Sequence, residues 1–245
     1  MPNVNRTQKV FSIDSSQKLN SNETGSNFTV KLSVPQRNAF NKASCLTCEM
    51  PKTYWMIDDD NDSFTLLEAT GGAAVSVEIP QGTYTITEFL AQMKIELDDA
   101  SPNSEVYTLT IDSKTSLVRI TNATGLFSLT LNESFQKYLG MPASFGPSAS
   151  YRGSNVVNLQ RHDVLYVKCN QISNANDNVL VELYPSNVPY NNIIQYNAPD
   201  TYTNSVTMND NTSQIFQFTV EDKNGNIVDF NGGKLRLIMS CWNEM

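Results

Sequence analysis

Short runs in which apolar and polar residues alternate with period two, each bounded by turn-forming residues, are the feature that most limits what this chain can become. Phe28-Thr29-Val30-Lys31-Leu32 reads as a half-buried strand, because successive strand side chains point to opposite faces. Phe64–Ala69 and Ala73–Ile79 flank Thr70-Gly71-Gly72 and predict a hairpin. Val106–Ile111 and Leu117–Ile120, joined through Asp112-Ser113-Lys114, predict another. Further strands are expected over Val164–Cys169, Val179–Tyr184, Ile215–Val220, Ile227–Phe230 and Leu235–Met239, with Asn224-Gly225 suited to a turn of positive φ.

Two helices interrupt the strands. Thr85 or Thr87 can cap a helix over Glu88–Asp98, whose Phe89, Leu90, Met93 and Leu97 share one face. A shorter one is predicted over Glu133–Leu139, stopping at Gly140. Helices do not alternate regularly with strands, which argues against a parallel βαβ architecture and for an all-β, antiparallel class.

With 245 residues and 40% apolar content the chain can bury a sizeable core. No apolar run follows the first charge as a secretory signal would, and none approaches the ~18 residues of a membrane span. The chain is therefore expected to be made in a reducing compartment. Cys45, Cys48, Cys169 and Cys241 lie among apolar residues, as buried free thiols do. Residues 1–25 are polar and read as a flexible N-terminal arm, with Val10-Phe11-Ser12-Ile13 as an apolar anchor able to add a strand to a neighbour.

Charge is uneven. Residues 1–52 hold seven Lys/Arg against three acids, a surplus of four, so a total of −8 leaves −12 for the remainder. An acidic body is a poor ligand for duplex nucleic acid, and any such contact would be weak and made through the arm.

No catalytic motif is recognisable in the sequence. The single histidine, His162, has no nucleophile in a recognisable motif beside it and reads as a surface or edge histidine. Cys45-Leu46-Thr47-Cys48 has the spacing of half a zinc knuckle, but residues i and i+3 of a regular strand point to opposite faces and cannot share an ion. Asp58-Asp59-Asp60-Asn61-Asp62 would need Gly at its sixth position and Glu at its twelfth to be a helix–loop–helix calcium site. Those positions hold Ser63 and Ala69, so an acidic turn is the better reading, with incidental cation binding left open. No cofactor is implied, and the chain reads as a structural protein rather than an enzyme.

Three segments, in order, carry a family resemblance: Ile79–Leu90 (strand end, glycine turn, helix), Phe135–Met141 (an aromatic-to-Leu-Gly turn) and Phe216–Gly232 (a hairpin before the last strand). Together with the opening Phe11–Ser15 and Asn27–Val30, they resemble the minor capsid (penton) proteins of virophages, polintons and polinton-like viruses. The resemblance implies a single jelly roll over residues 26–245, a β-sandwich in which residues 80–142 form a helix-plus-hairpin insertion. It implies a homopentamer at the vertices of an icosahedral shell, contacted by a double-jelly-roll major capsid protein, in a virion assembled inside the host cell. The residues expected at interfaces are Arg6, Lys9, Phe11 and Ile13 of the arm.

A second reading keeps the β-sandwich but makes it a receptor- or carbohydrate-binding module such as a viral fibre head, with Tyr54, Trp55 and Trp242 stacking on sugars. Both tryptophans sit in apolar strand-like runs, which predicts burial instead.

Overall fold

The computed structural model describes residues 8–34, 40–69, 73–173, 177–202, 204–209 and 214–244. Three strands open the chain: β1 (Gln8–Asp14), β2 (Asn27–Lys31) and β3 (Lys42–Pro51). Next come β4 (Ser63–Glu68), β5 (Val75–Glu78), α1 (Ile86–Ala100), β6 (Tyr107–Ile111), β7 (Val118–Asn122), β8 (Phe127–Thr130), α2 (Glu133–Leu139), β9 (Ser144–Ser148) and β10 (Ser150–Arg152). The chain continues with β11 (Leu165–Cys169), β12 (Ile172–Ser173), β13 (Val179–Leu183), β14 (Ile193–Asn197), β15 (Val206–Met208), β16 (Ile215–Glu221) and β17 (Arg236–Trp242). Two compact units result, one from Met1–Tyr54 with His162–Met245, the other from Trp55–Arg161.

The first unit is a jelly roll. In one sheet β1 pairs with β17, β17 with β3, and β3 with both β14 and β15, with β12 beyond β15. In the other, β2 pairs with β16, β16 with β11 and β11 with β13. Every pairing is antiparallel, and each sheet interleaves early strands with late ones, as a folded-over Greek-key ribbon must. Phe11, Ile13 and Leu237 from one sheet meet Phe28, Val167 and Phe218 from the other in a single buried cluster. Phe28 and Phe218, directly opposite in register, stack at 5.6 Å.

The sequence reads residues 1–25 as a flexible arm, whereas Gln8–Asp14 is a seven-residue strand in register with β17. Alternation drives this: Phe11 and Ile13 point inward and are buried, while Val10 and Ser12 face out.

The second unit is broader than the 80–142 segment expected as an insertion, because β4 and the turn before it belong to its sheets. Its four-stranded sheet runs β5-β4-β8-β9 and its three-stranded sheet β10-β7-β6. Helix α1 begins at Thr85, whose hydroxyl accepts from the Glu88 amide while the Glu88 carboxylate accepts from the Thr85 amide. That reciprocal cap fixes the helix start and turns Phe89, Leu90, Met93 and Leu97 inward. Helix α2 spans Glu133–Leu139 as predicted and stops at Gly140, whose φ of 64° is left-handed. A Cβ there would overlap the Asn155 carbonyl, so the position admits only glycine. Phe89, Phe135 and Tyr138 form an aromatic cluster with centroids 5.9–6.2 Å apart.

Candidate functional site

The arm residues come first. Lys9 donates its amine to the Ser33 carbonyl and lies 5.1 Å over the Phe11 ring. Phe11 and Ile13 are spent on the subunit's own core, so the side chains that β1 offers outward are Gln8, Val10 (52% exposed) and Ser12. Asp14 binds Arg236 at 2.9 Å. Burial raises the Asp14 carboxyl, but hydrogen bonds from Ser16 and the Arg236 guanidinium outweigh it and hold the group below its usual range. Arg6 lies outside the described residues. Among the described residues β1 has no partner strand on its far side, so there it is an edge able to accept one.

The cysteines correct one inference. The pairing of β17 with β3 skips a residue between Ile238↔Thr47 and Met239↔Cys45, a bulge at Leu46. The extra residue reverses the alternation, so Cys45 and Cys48 both face the core and their thiols interact. All four cysteines are buried and free. A hydrogen bond with Cys45, then burial, push the Cys48 thiol up; burial pushes Cys169 and Cys241 up to about 12. Cys48, Cys169 and Cys241 are thus inert, protonated core groups rather than thiolates.

Asp58, Asp59 and Asp60 bring carboxylate oxygens within 4.8 Å of one another, the one such grouping among the described residues. Arg161 meets that charge directly, at 2.7 Å from Asp58 and 3.7 Å from Asp60. The segment is a turn folded over buried Asn61, which accepts from the Asp58 amide and donates to the Met56 carbonyl and Tyr138 hydroxyl. His162 packs edge-on to Tyr54 at 5.0 Å. Of the two tryptophans expected to be buried, Trp242 is, against Tyr202 at 5.3 Å, whereas Trp55 is 41% exposed.

Two buried charges escape any reading of the sequence. Lys52 is 1% exposed in the jelly-roll unit, donating to the carbonyls of Pro185 (3.0 Å) and Val188 (2.6 Å) and lying 4.4 Å over the Tyr190 ring. Burial pushes its amine down to about 8. Glu68 of the second unit, 2% exposed, accepts from the Ser101 hydroxyl, the Asn103 amide and side chain, and the Tyr107 hydroxyl. Burial, then Glu68, raises the Tyr107 phenol far above its usual range.

The outward face of the second jelly-roll sheet is polar. It carries the Lys168–Glu221 ion pair at 2.7 Å, the Tyr166 side chain, and Glu182, which accepts from the exposed Tyr184 hydroxyl. A polar sheet face with exposed tyrosine suits wet, repeated protein contacts.

No family model matches the sequence, and no curated protein resembles it significantly. Among solved structures, the crystal structure of the mavirus penton protein superimposes with a TM-score of 0.57 at 7% identity, covering 98% of this chain and 100% of that one. The fold is that of a penton protein. At so low an identity the likeness lies in the architecture, yet it runs the length of both chains and takes in the second unit of this penton fold as well as the jelly roll. Among the described residues no helix is long and apolar enough to cross a membrane.

Proposed function

We propose that this chain is a structural minor capsid protein that assembles as a homopentamer and forms the vertices of an icosahedral virus shell, where a double-jelly-roll major capsid protein surrounds it. The observation that carries the reading is the end-to-end match to a penton protein, 98% of one chain on 100% of the other. A jelly roll without that second unit would be compatible with many roles. The reading needs no turnover, since a vertex protein works by presenting complementary surfaces. In it the N-terminal strand serves assembly through its edge, while Phe11 and Ile13 hold β1 in register and leave Gln8, Val10 and Ser12 to meet a neighbour.

Light scattering on a sizing column, followed by negative-stain averaging, tests the proposal. Five-fold rings are the expected outcome. A trimer would overturn the vertex role in favour of a fibre head. A monomer that fails to enter shells when co-expressed with the major capsid protein would sink the capsid reading altogether.

A further inference from the structure

The three-stranded sheet of the second unit breaks a rule that the other described strand pairings keep. Its outward residues are Thr108 and Thr110 on β6, Arg119 and Thr121 on β7, and Ser150 and Arg152 on β10. In register, Arg152 stands directly across from Arg119, and Arg119 is flanked on its other side by Thr110. Like charges directly opposite on neighbouring strands destabilise a sheet. Nothing nearby relieves the conflict fully. Among the described residues the Arg119 guanidinium has no hydrogen-bond or ion-pair partner. Arg152 has only an exposed, long contact with Asp112 at 3.6 Å and a weak bond to the Thr115 hydroxyl at 3.3 Å.

The setting makes the pair more unusual. Residues 55–161 hold six Lys/Arg against thirteen Asp/Glu, a net of −7, and yet none of the sheet's six outward residues is acidic. A third basic residue, Lys114, sits in the β6–β7 turn beside this face. A positive, hydroxyl-lined face on an acidic unit, kept at some cost in stability, is the pattern of a binding site rather than of a solvated surface.

We propose that this face binds an acidic glycan, a sugar chain bearing sulfate or carboxylate groups. Each guanidinium presents a planar fork that matches a carboxylate or sulfate bidentately. Two forks on adjacent strands stand about 5 Å apart at the backbone, close enough to clamp one anionic group or two successive ones. The hydroxyls of Thr108, Thr110 and Ser150 supply both donors and acceptors for sugar hydroxyls, and that of Thr121, which donates to the Thr108 carbonyl, supplies an acceptor. An acidic peptide could satisfy the arginines but would leave the hydroxyls of Thr108, Thr110 and Ser150 without matched partners. The proposal is independent of the vertex reading and gives the second unit a task of its own, attachment to a glycosylated surface.

Calorimetric titration with a heparin-derived hexasaccharide, with sialyllactose as the carboxylate probe and maltohexaose as the neutral control, tests it. The sulfated probe should bind with salt-sensitive affinity and maltohexaose should not. Arg119→Ser with Arg152→Ser should weaken binding at least tenfold, and Arg119→Lys should weaken it less because charge is kept while the fork is lost. Lys18→Ser, in the jelly-roll unit, should leave binding unchanged. Because relief of the like-charge pair favours folding, the double variant should melt no lower than the parent, which separates lost binding from lost fold. Equal affinity of parent and double variant, or no binding of either acidic probe, overturns the proposal. So does binding of a polyglutamate peptide in the absence of binding to either glycan.

Discussion

The two units bury charge of opposite sign and solve the problem differently. The jelly roll buries a cation: Lys52 is held by two backbone carbonyls and a tyrosine ring, and burial pulls its amine down to about 8. The second unit buries an anion: Glu68 is ringed by neutral donors from Ser101, Asn103 and Tyr107. Around these charges the cores differ as well, the jelly roll being filled by interdigitated strand residues and the second unit by aromatic rings from two helices packed on short strands. An ammonium can only donate, so Lys52 needs acceptors, and it finds them in the Pro185 and Val188 carbonyls of the turn between β13 and β14. The loop after α1 has amides and side-chain donors to spare, so there a carboxylate can be satisfied.

The sharpest break of the comparison is to damage each core separately. Phe135→Ala in the second unit and Phe218→Ala in the jelly roll should each cost about 3–5 kcal/mol. Hydrogen exchange should report each loss within its own unit. Protection lost equally across both units in either variant would mean that the division has no energetic content.

Next in size is Glu68→Leu. It leaves the donors of Ser101, Asn103 and Tyr107 buried without an acceptor, at about 1–3 kcal/mol for each that water cannot reach. Tyr107→Phe removes a single donor and should cost about 1 kcal/mol. Denaturant melts of the two variants check the order, and a larger loss for Tyr107→Phe would contradict the account of the network.

The last effect is one of pH. Because the folded-state value of Lys52 lies near 8 and the unfolded one at 10.5, both states are protonated below about pH 8. Between those values the unfolded chain binds more protons, so Lys52's contribution to stability rises with pH. Cys169 and Cys241 act in the opposite sense above pH 9, since their folded values rise to about 12. The comparison must therefore be with Lys52→Met, which cancels the thiols. The stability of the parent relative to the variant should increase from pH 7.5 to pH 10, and a flat difference would mean that the amine is hydrated.

Local patterns were legible in the sequence, and partners were not. Phe28–Leu32 and Ile215–Val220 reveal themselves by alternation, Thr85 and Glu88 by their spacing, and Gly140 by its place after an aromatic turn. The bulge at Leu46 escapes because it depends on β17, almost two hundred residues on, and so the argument from i, i+3 spacing failed at Cys45 and Cys48. Lys52 and Glu68 look like ordinary surface charges until tertiary contacts cover them. Trp55 sits in an apolar run that marks the passage from β3 into the second unit rather than a strand. The arginine pair needed register: Arg119 and Arg152 mean nothing separately.

The union of β1 with β17 also bears on how the protein comes to be made. Gln8 and Ser240, joined by a side-chain hydrogen bond across that ladder, are 232 residues apart in sequence. On the ribosome the second unit can close on itself well before β17 exists, since all its strands pair within Trp55–Arg161. The jelly roll cannot. Its first strand, and the edge of the third that β17 will cover, wait open until the seventeenth arrives, a slow, non-local closure during which nascent copies are most prone to pair with each other.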